Sequence, residues 1–114
     1  MESKIRSYTA NYLKLIDKFY YKVLSIEKSS TIRMGYVFFI NEVLTLKFET
    51  KPDLLVKITK LDYSKKLINL TDKDAIMDGF ENLHELNAEL FKFYPDINPD
   101  TQFTIVYFNL IKKE

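Results

Sequence analysis

Between Glu27 and Gly35 the chain reads Glu-Lys-Ser-Ser-Thr-Ile-Arg-Met-Gly, which gathers an amine (Lys28), three hydroxyls (Ser29, Ser30, Thr31) and a guanidinium (Arg33) within six positions. Acyl transfer asks for these groups: a nucleophile, a proton acceptor to activate it, and a positive donor to hold developing negative charge. Arg33 would serve a phosphate equally well, through its rigid fork of N–H donors. A lysine takes and returns a proton near neutral pH only if desolvation lowers its pKa. The same residues have a plain alternative, in which Thr31 caps a turn and Lys28 is solvated. Lys and Thr three apart occur by chance in most proteins, so the spacing alone does not decide between the two.

What the chain lacks narrows the field. It has no Cys and one His, His84. Disulfides, thiolate metal sites and Cys nucleophiles are excluded, and little remains from which to build a transition-metal centre. No Gly-rich phosphate loop of the Rossmann or Walker kind is present. The sequence therefore calls for no cofactor. The first residues, Met1-Glu2-Ser3-Lys4, lack the apolar core of a signal peptide, and the longest apolar run, Tyr36 to Ile40, is far short of a membrane span. The expectation is a soluble cytoplasmic protein.

At 114 residues, 46% of them hydrophobic and 29% charged, the chain has the length and balance of one globular domain, residues 1–114, with a single core. Nine Phe and eight Tyr supply large apolar areas for that core. The net charge of +1 hides an uneven distribution: residues 1–71 carry 13 Lys/Arg against 7 Asp/Glu, and residues 72–100 carry 2 against 8. That split fits either a basic face that meets phosphate or two oppositely charged regions attracting each other inside the fold.

The elements that must position these groups follow from periodicity. Residues 4–9 read as a short strand. Tyr12, Leu15, Ile16, Phe19, Tyr20, Val23 and Leu24 recur at helical spacing, which predicts an amphipathic helix over about 10–25. The polar stretch from Ile26 to Arg33 reads as a loop. From Tyr36 to Glu49 the residues are β-branched and aromatic with an interruption at Asn41-Glu42, predicting two strands or one bent strand. Pro52-Asp53 turns the chain into a strand in which Leu54, Val56 and Ile58 alternate with Leu55, Lys57 and Thr59. Thr71 and Asp74 have the spacing of a capping box, so a short helix starts there and breaks at Gly79. A second helix runs from about Asn82 to Tyr94-Pro95, and Gln102 to Ile111 is a buried strand with a solvated end at 112–114. The order points to α+β, with mixed or antiparallel strands curled into a barrel and flanked by helices.

The loop from Glu27 to Gly35 resembles the signature of the ASCH family, G-x-K-x-x-T-x-R followed by a glycine. The run from Leu70-Thr71 through Ala75 to Asp78-Gly79-Phe80 resembles a second family segment, and the long helix, the Tyr-Pro and a closing strand with Tyr107 and Phe108 follow in family order. The likeness spans nearly the whole chain. It implies a PUA-like β-barrel with a cleft that takes RNA or a modified nucleoside. It also implies that Lys28, Thr31 and Asp78 stand where some family members carry the catalytic groups of an amidohydrolase acting on acetylcytidine, with Arg33, Ser29 and Ser30 beside them as ligand-binding residues. Two positions depart from the pattern. Ile26 stands where the family has Gly and resists the left-handed backbone that Gly permits, so the start of the loop is expected to differ. Asp78 is one methylene shorter than the Glu of some active relatives.

Weaker candidates remain. Lys14, Lys18 and Lys22 lie four apart on the expected first helix with Tyr21 close by, a stripe that fits RNA phosphates and a stacked base as well as it fits an ordinary solvated face. Tyr107 is the aromatic candidate for stacking at the cleft mouth. His84 falls beside the apolar stripe of its helix and should be exposed. The partners implied are RNA or a nucleoside or nucleotide, without a membrane; a protein partner or self-association, in a module with no catalytic step, stays open.

Overall fold

The computed structural model describes residues 7–111. Lys4 and Arg6, the first half of the expected strand at 4–9, and the end at 112–114 lie outside the described residues. Seven strands and three α-helices are formed among the described residues: β1 (Ser7–Ala10), β2 (Tyr12–Leu15), α1 (Tyr20–Leu24), β3 (Ser30–Met34), β4 (Tyr36–Phe39), β5 (Val43–Phe48), β6 (Leu54–Lys66), α2 (Asp72–Met77), α3 (Leu83–Phe93) and β7 (Gln102–Leu110), with 3-10 turns at Asp17–Phe19 and Leu67–Asn69.

β7 organises the sheet. It pairs antiparallel with β3 on one side and with β6 on the other, and the larger sheet has the order β2-β5-β6-β7-β3. Phe103, Thr104, Ile105 and Val106 are all fully buried, so this strand is covered on both faces, as its near-continuous apolar run demands. β1 and β4 form a separate parallel pair. Thr104 ties that pair to the large sheet: its hydroxyl donates to the Gly35 carbonyl (2.7 Å) and accepts from the Val37 N–H (3.1 Å). The ladder leaves β2 and β3 as edges and does not close on itself among the described residues, so in place of the expected closed barrel there are a five-stranded mixed sheet and a two-stranded one. β6 is long and carries two register shifts against β7, between Ile58 and Lys60 and between Asp62 and Lys65, which let one strand serve a strongly bent surface.

The expected helix over 10–25 is corrected. Its first third is β2, in which Leu13 and Leu15 are buried while Tyr12 and Lys14 face out, and which pairs parallel with β5 through Leu13↔Leu46 and Leu15↔Phe48. Apolar residues at 12, 13, 15 and 16 satisfy a period of 2 as well as one of 3.6, and pairing with a distant strand decides between them. Only Tyr20–Leu24 is α-helical. The expected loop over 26–33 is corrected in its second half, where Ser30, Thr31 and Ile32 are buried in β3 against β7. The helices of the second half form where expected. Thr71 Oγ1 accepts from the Asp74 N–H while the Asp74 carboxylate accepts from the Thr71 N–H, closing the capping box of α2. Asn82 caps α3, which buries Leu86 and Leu90.

Ile26 adopts φ +69°, the left-handed conformation that ends a helix and normally takes Gly. The backbone here is therefore the left-handed one that its side chain resists, and a β-branched residue carries the strain. Ile26 is 75% exposed, so it gains almost nothing from packing in return. Ile26→Gly is expected to stabilise the protein by about 1 kcal/mol, the scale of the left-handed penalty for a residue with Cβ. Urea denaturation read at equal slope checks this; a midpoint that falls would show that Ile26 packs or is strained less than its backbone indicates.

Candidate functional site

Four short connections bring the loop after α1 onto the end of α2. The Lys28 N–H donates to the Lys22 carbonyl (2.9 Å), closing the turn after α1. One residue on, the Ser29 N–H donates to the Met77 carbonyl (2.8 Å). Lys22 Nζ reaches the Gly79 carbonyl (2.6 Å) from the other direction. Lys28 Nζ donates to the Asp78 carbonyl (2.8 Å) and, in a tight contact, to Asp78 Oδ1. The chain turns sharply after Asp78 because Gly79 sits at φ +95°, and a Cβ there would lie 3.3 Å from both the Lys28 Cβ and the Phe19 ring. The positive φ favours glycine, and a Cβ there would also require Lys28 or Phe19 to give by a few tenths of an ångström.

Lys28 and Asp78 are 3% and 5% exposed, so this is a buried ion pair between residues fifty positions apart. Burial pushes the Lys28 pKa down, and the neighbouring Asp78 charge opposes that shift. Arg33 and Lys22 add to the lowering. Burial likewise pushes the Asp78 carboxyl up, against the pull of Lys28, Arg33 and the Ile32 backbone N–H. Both shifts have one cause: the interior favours the neutral form of each group. The Phe19 ring lies under the ammonium, 4.6 Å from Nζ to its centroid, and returns part of the lost solvation as a cation–π contact.

The pair forms the floor of a cleft of about 530 Å³, within the range of small-molecule sites. Thr31 and Arg33, two apart on β3, line the same cleft. Arg33 Nε donates to Thr31 Oγ1 (3.3 Å) and Nη2 donates to the Lys14 carbonyl (2.6 Å), which fixes the guanidinium and leaves its remaining N–H donors free. Thr31 is 4% exposed. Its hydroxyl accepts from Arg33, so its own proton remains available to donate or to lose. Lys14 and Lys47, paired in register across β2 and β5, stand at the mouth, and the opposite wall is α3, with Leu86, Glu89, Leu90 and Phe93.

Other candidates lie elsewhere. Ser30 is fully buried with a hydroxyl that finds no partner, and neither it nor Ser29 lines the cleft. Tyr107 is also outside the cleft lining; it is on β7 with Lys60 over its ring at 5.6 Å. Lys14, Lys18 and Lys22 make no helical stripe, because Lys14 is on β2, Lys18 is in a 3-10 turn and only Lys22 is on α1. Lys18 pairs with Glu89 at 3.5 Å, and the exposed Tyr21 ring carries Lys51 at 5.4 Å. His84 is exposed. Sequence reasoning gave Phe19 only a core role and Lys22 only a place in a surface stripe, and it passed over Glu89. For Glu89 a signal existed: on α3 it falls between Leu86, Leu90 and Phe93, where an apolar residue is the rule.

These features define a class: an α+β domain with a charged, partly apolar cleft between a mixed sheet and a helix. The crystal structure of an ASCH domain from Lactobacillus crispatus superposes with a TM-score of 0.67 at 12% identity, covering 88% of this chain and 79% of that one. A protein of the DUF984 family from Enterococcus faecalis superposes with a TM-score of 0.60 at 16% identity, covering 78% of this chain and 67% of that one. The chain has the ASCH domain fold. Its sequence matches no family model and no curated protein. No helix among the described residues is long and apolar enough to cross a membrane.

Replacing Lys28 by Met strands the Asp78 carboxylate in the interior, and the expected cost is about 3–5 kcal/mol at neutral pH. The buried carboxyl then has a folded pKa above its unfolded value near 4, so its penalty is absent below that value and grows as pH rises through the folded one. Urea titrations should therefore show the Lys28→Met deficit shrinking from about pH 7 toward pH 4. The Lys28→Met/Asp78→Leu double variant, which removes both charges, should recover most of the loss at pH 7. Equal losses in single and double variants would mean that the two groups do not share their burial cost.

Proposed function

We propose that this ASCH-fold domain binds RNA or a modified nucleoside in the cleft between β3 and α3. The observation that carries the reading is the convergence of Lys28, Thr31, Arg33 and Asp78 on one cleft at whose mouth Lys14 and Lys47 stand without an acidic partner among the described residues. The apolar walls suit a base, and the held Arg33 fork with the two mouth lysines suits its polar edge and phosphate.

A second reading is favoured by one further observation, a desolvated amine at Lys28 that shares the cleft with the Thr31 hydroxyl. In it the cleft hydrolyses the amide of an acylated cytidine. Neutral Lys28 takes the Thr31 proton as Oγ1 bonds to the amide carbonyl carbon, and Arg33 faces the oxyanion. The same lysine returns the proton to the leaving exocyclic nitrogen as the C–N bond breaks. Water, deprotonated by Lys28, then cleaves the acyl-threonine to release the acid and regenerate the hydroxyl. Asp78 holds the lysine throughout.

One experiment separates the readings. Acetylcytidine, cytidine and short RNAs are offered to the wild type and to the Arg33→Ala, Thr31→Ala and Lys28→Ala variants, with binding and product both read by mass spectrometry. Binding without turnover, weakened at least tenfold in Arg33→Ala and falling with salt, supports the binding reading. Release of cytidine that disappears in Thr31→Ala, whose melting temperature stays near wild type, supports the hydrolase. Wild-type protein that neither binds nor converts any of them overturns both.

A further inference from the structure

Glu89 is an acidic residue set among apolar residues in the lining of the cleft. On α3 its neighbours at helical spacing are Leu86 and Phe93, which with Leu90 line the same cavity. A carboxylate in that company loses hydration, and its side chain is only 14% exposed. Its two oxygens are held electrostatically and not by hydrogen bonds. Lys18 Nζ is 3.5 Å from Oε1 and Lys92 Nζ is 3.7 Å from Oε2, both beyond ordinary N–H···O length. Lys92 is largely exposed and adds little. The carboxylate therefore keeps its acceptor capacity, and it lines the same cleft as the Arg33 guanidinium, which has N–H donors left unused.

We propose that Glu89 determines specificity: it accepts a hydrogen bond from the amino group of a cytosine-type base while Arg33 donates to the ring nitrogen or carbonyl on the same edge. This rests on the reading of the cleft as a base-binding site. Cytosine presents an amino donor beside two acceptors, which complements one carboxylate and one guanidinium; uracil presents a carbonyl where the amino group stands, and its lone pairs meet those of the carboxylate. A buried acceptor left without its donor makes the discrimination larger than the contact itself would.

The test measures dissociation constants for cytidine and uridine by calorimetry at one salt concentration, for the wild type, Glu89→Gln and Lys18→Met. The wild type should prefer cytidine at least tenfold. Glu89→Gln, whose amide offers a donor as readily as an acceptor, should bring the preference to within about twofold, mainly by improving uridine. Lys18→Met breaks the same ion pair without removing the acceptor, so it should keep the cytidine preference; if it loses that preference as fully as Glu89→Gln does, Glu89 is only a tether for Lys18. Equal binding of the two nucleosides by the wild type, or a preference that survives Glu89→Gln, overturns the specificity role while base binding stands. Binding of neither nucleoside overturns the cleft reading and this proposal with it.

Discussion

Taking an ammonium and a carboxylate out of water together costs several kcal/mol for each ion, and their mutual attraction repays this only when the geometry is close and the remaining donors are used. The surroundings of Lys28 and Asp78 meet that condition. The lysine reaches both the side chain and the backbone carbonyl of Asp78, the Phe19 ring faces the ammonium, and Lys22 holds the next carbonyl along. The result is a clasp between the loop after α1 and the last turn of α2. Without it β3 would still pair with β7, and the Ser29–Met77 and Lys22–Gly79 bonds would remain to hold the end of α2 against the β3 loop. An apolar pair of similar size would do this mechanical job at lower cost. That a charged pair stands at the floor of a solvent-reached cleft is therefore an argument for chemical use, of the kind perturbed buried groups in clefts commonly carry.

The charge split along the sequence has a related explanation. Three ion pairs join the basic first part of the chain to the acidic stretch after residue 71: Lys18–Glu89, Lys28–Asp78 and Lys65–Asp74. Much of the asymmetry is thus consumed inside the fold, as oppositely charged segments drawn to each other, and does not form a broad basic face. What is left over is local. Lys14 and Lys47 stand together at the cleft mouth on adjacent strands, with Lys47 over the Tyr12 ring at 5.0 Å.

How far the structure can be read from the sequence depends on whether a signal is local. Thr71 and Asp74 specify their helix within one turn, Asn82 and Pro95 bound the next, and the alternation at Leu44, Leu46 and Phe48 marks β5, so these elements are legible. β2 and β3 are not. The residues of β2 fit two periods over a span too short to distinguish them, and β3 is a polar Ser-Thr stretch whose strand character comes from β7, some seventy residues away. The grouping of Lys28 with Thr31, Arg33 and Asp78 was accessible through the resemblance to a family signature and not through spacing. Tyr107 was misplaced because a strand buried on both faces gives no alternation from which to tell which face an aromatic ring takes.

The length of the acid at position 78 shows why motif residues must be read with their backbone. An aspartate in place of a glutamate would ordinarily leave a lysine out of reach. Here the reach comes from the main chain: Asp78 ends α2, Gly79 turns with positive φ, and the Asp78 carbonyl itself lies 2.8 Å from Lys28 Nζ. A backbone already that close needs only a short side chain to complete the pair, and a longer one would have to fold back on itself in a space bounded by Phe19 and the Lys28 stem. The Lys28 stem and the Phe19 ring also crowd a Cβ at 79, where the positive φ already favours glycine. The short acid and the glycine are one solution to one constraint, and a lengthened acid at 78 would require the turn at 79 to open.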